Sequence, residues 1–136
     1  MPHWVDKGHT AKTNMMRRLL RDYVLVLANT GIRHGTEALG LRWRDIEWIT
    51  TASGNKVLQL TVNGKVGKRQ AIARHNTEDY FKRLQSRRPH IANLTFDQLL
   101  QRKVNEKVFV LEDGTETASL AGTFRGLMKE IGRAHV

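Results

Sequence analysis

Two short segments of this sequence carry residue types suited to handling phosphate. The first, residues 27–46, reads LANTGIRHGTEALGLRWRDI. Asn29-Thr30-Gly31 is a helix stop signal, the tight turn after it presents Arg33, and a new helix start carries Glu37 in its first turn. An Arg held at such a junction can aim its planar fork at a phosphate and bond two oxygens at once. The free amides of the following helix start add to an anion site. On spacing alone a structural alternative stands beside this one: Arg33 pairs with Glu37, or caps carbonyls of the preceding helix. The second segment is Val62-Asn63-Gly64-Lys65-Val66-Gly67-Lys68-Arg69. Its two glycines allow a tight reversal, and three cations project from a narrow loop. Such a tip can enter a nucleic-acid groove as β-ribbons do, although an ordinary solvated turn has a similar composition.

Other candidates are weaker. His3, His9, His34, His75, His90 and His135 are scattered and lack metal-site spacing. His34, next to Arg33, is either a further phosphate contact or a turn-exposed imidazole. Tyr23 and Tyr80, the only tyrosines, sit among apolar neighbours and read as packing residues. Trp43 and Trp48 flank an expected strand and read as core and sheet packing rather than base-stacking platforms. Arg17, Arg18 and Arg21 form a basic helix face, which is either simply solvated or an extension of an anion-facing surface.

The elements that must position these residues are legible from periodicity. Residues 1–12 mix Pro, Gly, His and charge and are expected to form an arm. A helix is expected from Thr13, with Met16, Leu20, Tyr23, Val24 and Leu27 on one face and Arg17, Arg18, Arg21 and Asp22 mostly off it. A short helix follows over residues 35–41. Residues 45–49 and 57–62 then alternate, the latter with Leu58, Leu60 and Val62 on one face. With a third strand over 69–73 they predict a small antiparallel sheet. Thr77 is the expected N-cap of the next helix, ahead of Glu78 and Asp79, and Arg87-Arg88-Pro89 ends it. Thr95-Phe96-Asp97-Gln98 fits a capping box. Val108-Phe109-Val110-Leu111 is an apolar run before the turn Glu112-Asp113-Gly114. A last helix near Ser119 carries the stripe Leu120, Phe124, Leu127, Met128 and Ile131. The expected fold class is α+β, mainly helical with a small three-stranded antiparallel sheet.

Composition narrows the function classes. The chain has 136 residues, with 23 Lys and Arg against 13 Asp and Glu, a net charge of +10 that favours a polyanionic partner. It has no Cys, which excludes disulfides, thiolate metal sites and a catalytic thiol. There is no apolar run of membrane-spanning length and the N-terminal stretch is polar, so no membrane partner and a cytoplasmic location are expected.

Thr30-Gly31-Ile32-Arg33 through Glu37-Ala38-Leu39, then Leu41-Arg42-Trp43 and Asp45-Ile46, resembles the first arginine box of the tyrosine recombinases, the phage-integrase family. In that family a three-stranded sheet follows, and its second hairpin carries a catalytic Lys in a Gly-Lys-x-Gly context. Gly64-Lys65-Val66-Gly67 stands in that place. The resemblance covers residues 13–132 and leaves 133–136 an unassigned tail. It implies Arg33 and Lys65 as catalytic residues, Glu37 as support of the arginine box, and Arg44, Lys68, Arg69 and His34 as DNA contacts. Three residues separate Arg33 from Glu37 where the family often has two. The implied partner is double-stranded DNA, with no metal or nucleotide cofactor, in a bacterial or phage-infected cell. The implied reaction is attack of a Tyr hydroxyl on a phosphodiester, with arginines neutralising the developing charge and the Lys protonating the leaving 5′ oxygen. The family's second box, His-x-x-Arg, and its late nucleophilic Tyr have no match in this sequence. The expectation is therefore the first half of a recombinase catalytic domain from a phage or mobile element, inactive alone and prone to self-association through uncovered apolar faces. The alternative is a stand-alone basic nucleic-acid-binding module without catalysis.

Overall fold

A computed structural model describes residues 11–116. They form α1 (Ala11–Thr30), α2 (Thr36–Leu39), a 3₁₀ turn (Trp43–Asp45), β1 (Ile46–Thr50), β2 (Lys56–Gly64), β3 (Gly67–Ile72), α3 (Thr77–Ser86) and α4 (Phe96–Gln101). The class is mixed α+β, as the periodicity predicts. The expected arm ends earlier than residue 12, because Ala11 and Lys12 already belong to α1. The rest of that arm, the helix near Ser119 with its apolar stripe and the tail at 133–136 lie outside the described residues.

Helix α1 stops where Gly31 adopts a left-handed φ of 74°, its N–H donating to Leu27 O at 3.0 Å. The buried side of α1 is Leu19, Leu20, Tyr23 and Val26, and it includes Asp22. The expectation that Asp22 lies off the apolar face is therefore wrong. Arg83 Nε donates to Asp22 Oδ1 at 2.9 Å, and Arg87 pairs with Oδ2. A carboxylate tolerates full burial when guanidiniums satisfy its oxygens. Here the partners come from α3 and from the residue that caps its C-terminus, and they tie α1 to it.

The sheet runs β1-β2-β3, antiparallel throughout. Ile46, Leu58, Leu60, Val62 and Ala71 share the buried face, which is the side alternation assigned to the core. At one end β1 stops at the Ile46↔Leu60 pair, while β2 continues to Gly64. That overhang pairs only with β3, down to Gly64↔Gly67, leaving Lys65-Val66 as a two-residue turn. Gly67 takes φ 101° there, a conformation that favours glycine.

Thr77 is not the N-cap of α3. Asn76 precedes the helix in the left-handed conformation, and Thr77 is the first helical residue, its hydroxyl donating to Arg74 O at 2.6 Å. Asn tolerates that backbone better than most residues, which lets the chain turn sharply out of β3. The capping box at α4 forms as expected, with Gln98 N–H donating to Thr95 Oγ1 and Thr95 N–H to Gln98 Oε1. The apolar run 108–111 is buried, and the stretch before it lies alongside residues 41–44. Trp43 N–H donates to Glu106 O, Arg44 N–H to Val104 O and Val108 N–H to Leu41 O. Among the described residues no helix is long and apolar enough to cross a membrane.

Candidate functional site

The site is organised around one carboxylate. Glu37, in the single turn of α2, is only 5% exposed. Its Oε1 accepts the Arg33 main-chain N–H at 2.9 Å and Arg69 Nη2 at 2.8 Å, and its Oε2 accepts Arg69 Nε at 2.9 Å. Arg69 Nη2 also donates to Gly31 O at 3.0 Å. The fork from β3 therefore grips both the end of α1 and the start of α2. The Arg69 hydrogen bonds, then the Arg33 amide, lower the Glu37 pKa from its ordinary 4.5 to about 2, against the opposing pull of burial. Reciprocally, Glu37 raises the pKa of Arg69.

The hairpin presses on the same group. A Cβ placed on Gly64 would lie 2.9 Å from Glu37 Oε2, so the backbone just before Lys65 packs directly against the carboxylate. Only glycine allows this approach without displacing a side chain held by three hydrogen bonds. The arginine turn and the lysine hairpin, far apart in sequence, thus meet on one ionised oxygen pair.

Comparison with protein-family models, curated proteins and solved structures finds no match for this chain.

The alternative in which the Arg33 side chain pairs with Glu37 does not hold, because Arg33 reaches that carboxylate through its amide while Arg69 supplies the guanidinium. The Arg33 side chain is exposed and makes no hydrogen bond or ion pair among the described residues. Lys65 is exposed at the hairpin turn, beside Val66, which is 91% exposed. Lys68, cross-strand partner of Asn63, and Arg44, in the 3₁₀ turn, are exposed as well. Arg69 differs from these cations, since its fork is turned inward.

His34 has a partner that spacing did not suggest. Its Nδ1 lies 2.6 Å from Tyr23 Oη, which also accepts the Gly35 N–H at 3.3 Å. In the tautomer that leaves Nδ1 unprotonated, the phenol donates to it. Tyr23 is fully buried, packed edge-on to Phe109, and its pKa is pushed up by that burial. The packing role expected of Tyr23 is present, with the anchoring of His34 added to it. Trp43 is buried against Phe81, and Trp48 donates its indole N–H to Asp97 with Lys56 over its ring. Among the described residues no group of three His, Asp or Glu is placed to hold a metal ion.

Proposed function

We propose that this chain binds the backbone of duplex DNA, and that it carries the first-arginine and lysine part of a tyrosine-recombinase-like strand-exchange site. One observation supports the reading above the others. The Glu37–Arg69 pair fixes the turn that bears Arg33 to the hairpin that bears Lys65, yet leaves both of those cations unpaired. In this reading Arg33 neutralises charge accumulating on the non-bridging oxygens of a phosphodiester, and Lys65 donates a proton to the leaving 5′ oxygen. Glu37 and Arg69 touch no substrate and act as positioning residues. Tyr23 does not serve as nucleophile: it is buried, its pKa is raised, and it holds His34.

A second reading, a stand-alone basic nucleic-acid-binding module without catalysis, draws support from the net charge of +10 and the exposed Arg33, Lys65 and Lys68. Both readings share the DNA contact. Fluorescence anisotropy with duplex DNA tests it. Binding of sequence-independent character is expected, with Kd on the order of 10⁻⁴ to 10⁻⁶ M at physiological salt. Arg33→Ala and Lys65→Ala are each expected to reduce the slope of log affinity against log salt by about one. Wild-type slopes in both variants would refute the assignment. Nicked suicide substrates separate the two readings when the missing motifs are supplied by a longer chain, and the present chain is expected to give no denaturant-resistant adduct. An adduct at Tyr23 or Tyr80 would overturn the packing roles described above.

A further inference from the structure

A groove of about 330 Å3 lies beside the clamp, at the place where β1 stops short of β2. Residues 61–63 form one wall, and α2 with the turn through Arg42 and Arg44 forms the other. We infer that this groove is a second phosphate subsite, taking a backbone phosphate of the same DNA whose neighbouring phosphate faces Arg33 and Lys65. The inference rests on the DNA-backbone reading and adds to it a specific path for the strand.

Charge and geometry support the subsite together. Of the two carboxylates lining the groove, Glu37 is already satisfied by Arg69, and Asp45 accepts the Arg42 main-chain N–H at 2.9 Å. Arg42 spends one nitrogen on Asn105 O at 3.2 Å. Arg44 and Lys68 are exposed, and neither side chain has an ion pair or hydrogen bond among the described residues. Asp45 keeps its negative charge, but Arg42, Arg44 and Lys68 outnumber it, so the groove holds a net positive charge in a concave setting, where low-dielectric walls focus the field. Neutral donors stand next to it. Asn63 is the cross-strand partner of Lys68, and Thr61, two residues earlier, shares their face of the sheet. Thr36 closes the far side. Two cations, two hydroxyls and an amide are a donor set for a phosphodiester, whose free oxygens accept and never donate. The volume sits at the small end of ligand sites, matching a phosphate with part of its sugar rather than a whole cofactor.

The order of these groups along the hairpin gives the strand its direction of travel. Lys65 caps the tip, and Lys68 and Asn63 lie one step down the same ribbon toward Arg44. A strand engaged at the tip passes next over the groove. Free phosphate has the same chemistry as the DNA backbone, so the experiment must separate the two sources.

The full chain carrying Arg44→Gln with Lys68→Gln is titrated with duplex DNA over a range of salt, beside a control pair, Lys56→Gln with Arg74→Gln, which removes two exposed charges at the end of the sheet opposite the hairpin. Both groove side chains are exposed and unpartnered, so the fold is expected to persist, as circular dichroism verifies. The double variant is expected to bind about tenfold more weakly, with a salt slope lower by about one, while the control pair stays near wild type. Equal losses in the double variant and in the control pair, which removes the same charge, would overturn the inference, because net charge alone would then explain them. Wild-type behaviour of the double variant, with Arg33→Ala and Lys65→Ala still impaired, would refute the groove and leave the DNA reading standing. Absence of any duplex binding by the wild-type chain would instead sink the DNA reading itself. Inorganic phosphate followed by amide NMR supplies the last arm. Shifts confined to residues 61–63, Arg44 and Lys68, and abolished by duplex DNA, are expected. Phosphate shifts there that duplex leaves in place would overturn the DNA-backbone assignment.

Discussion

Removing Arg69 probes the device that joins the two halves of the site. Arg69→Ala leaves the Glu37 carboxylate, 6% exposed, with the Arg33 amide as its only remaining donor of those described. Breaking a fully buried ion pair by deleting one partner costs about 3–5 kcal/mol. The Arg69 side chain is 38% exposed, so water screens the pair and stands in for part of the lost fork. About half the buried figure, roughly 2 kcal/mol at pH 7, is therefore expected. The pH dependence separates charge from packing. Glu37 is depressed from 4.5 to about 2 in the folded protein, so its contribution is complete above the unfolded value. It fades as pH falls from about 4.5 toward 2, because the unfolded chain takes up the proton first. In Arg69→Ala the main cause of that depression is gone, and burial pushes the carboxyl back up. Urea unfolding followed by circular dichroism is expected to show the gap between wild type and variant narrowing to under half by pH 3. Glu37→Gln closes a double-mutant cycle, with a coupling of roughly 1–2 kcal/mol expected at pH 7. A gap constant from pH 7 to pH 3, or smaller than about 0.5 kcal/mol, would refute the electrostatic account.

Two further substitutions test other parts of the structure. Asp22→Asn leaves Arg83 and Arg87 against a neutral side chain, and with Arg83 42% exposed the unfolding free energy in urea titrations is expected to fall by about 2 kcal/mol. A loss under about 1 kcal/mol would show that solvent already reaches this cluster. Tyr23→Phe removes the phenol that meets His34 and the Gly35 amide, with an expected cost of about 1–2 kcal/mol. Nitrogen chemical shifts of the His34 ring are expected to show the loss of a fixed tautomer, and an unchanged pattern would exclude Tyr23 as its anchor.

Local signals in the sequence were sufficient wherever the deciding contacts are themselves local. The alternation of Leu58, Leu60 and Val62, the stop at Gly31 and the reciprocal box at Thr95 and Gln98 each depend on neighbours a few residues away. Asp22 shows where that reasoning ends. Spacing from Leu20, Tyr23 and Leu27 sets it off the apolar stripe, but its burial is decided by Arg83 and Arg87, in the last turn and at the C-cap of a helix far along the chain. Thr77 has the chemistry of an N-cap, yet Asn76 takes the left-handed turn and moves the helix start by one residue. At the site, Arg33, Glu37, Lys65 and Arg69 were all singled out from sequence, but their connections were not. A Glu four residues after an Arg invites a local pair, whereas the structure spends that carboxylate on a strand two hairpins away. Gly64 carried a legible sign of tight turning. Its actual constraint, contact with Glu37, requires three dimensions to see.

That long-range pairing solves a conflict inherent in gathering cations. A guanidinium meant to meet a phosphate must be held in place, but the simplest way to hold it, a salt bridge, uses up the donors the phosphate needs. Were Arg33 paired with Glu37 through its side chain, a phosphate would have to displace the carboxylate and then sit beside its negative charge. Here the work is divided. Arg69 neutralises Glu37, Glu37 holds Arg33 by its backbone, and Gly64 seats the Lys65 hairpin on the same carboxylate. The holding charges cancel within the clamp, and the outward cations keep their full field. On the function proposed above, the clamp fixes the backbones that carry Arg33 and Lys65 and leaves both side chains free to close on a phosphate. On this reasoning Arg69→Lys cannot substitute for the native residue. A single ammonium cannot bridge both oxygens of Glu37 and the Gly31 carbonyl in the planar arrangement of a guanidinium, so the hairpin loosens although the net charge is unchanged. Faster amide exchange at Val66 and Gly67 in Arg69→Lys, with a wild-type salt slope for DNA, is the expected signature, and wild-type exchange there would mean that charge alone holds the hairpin.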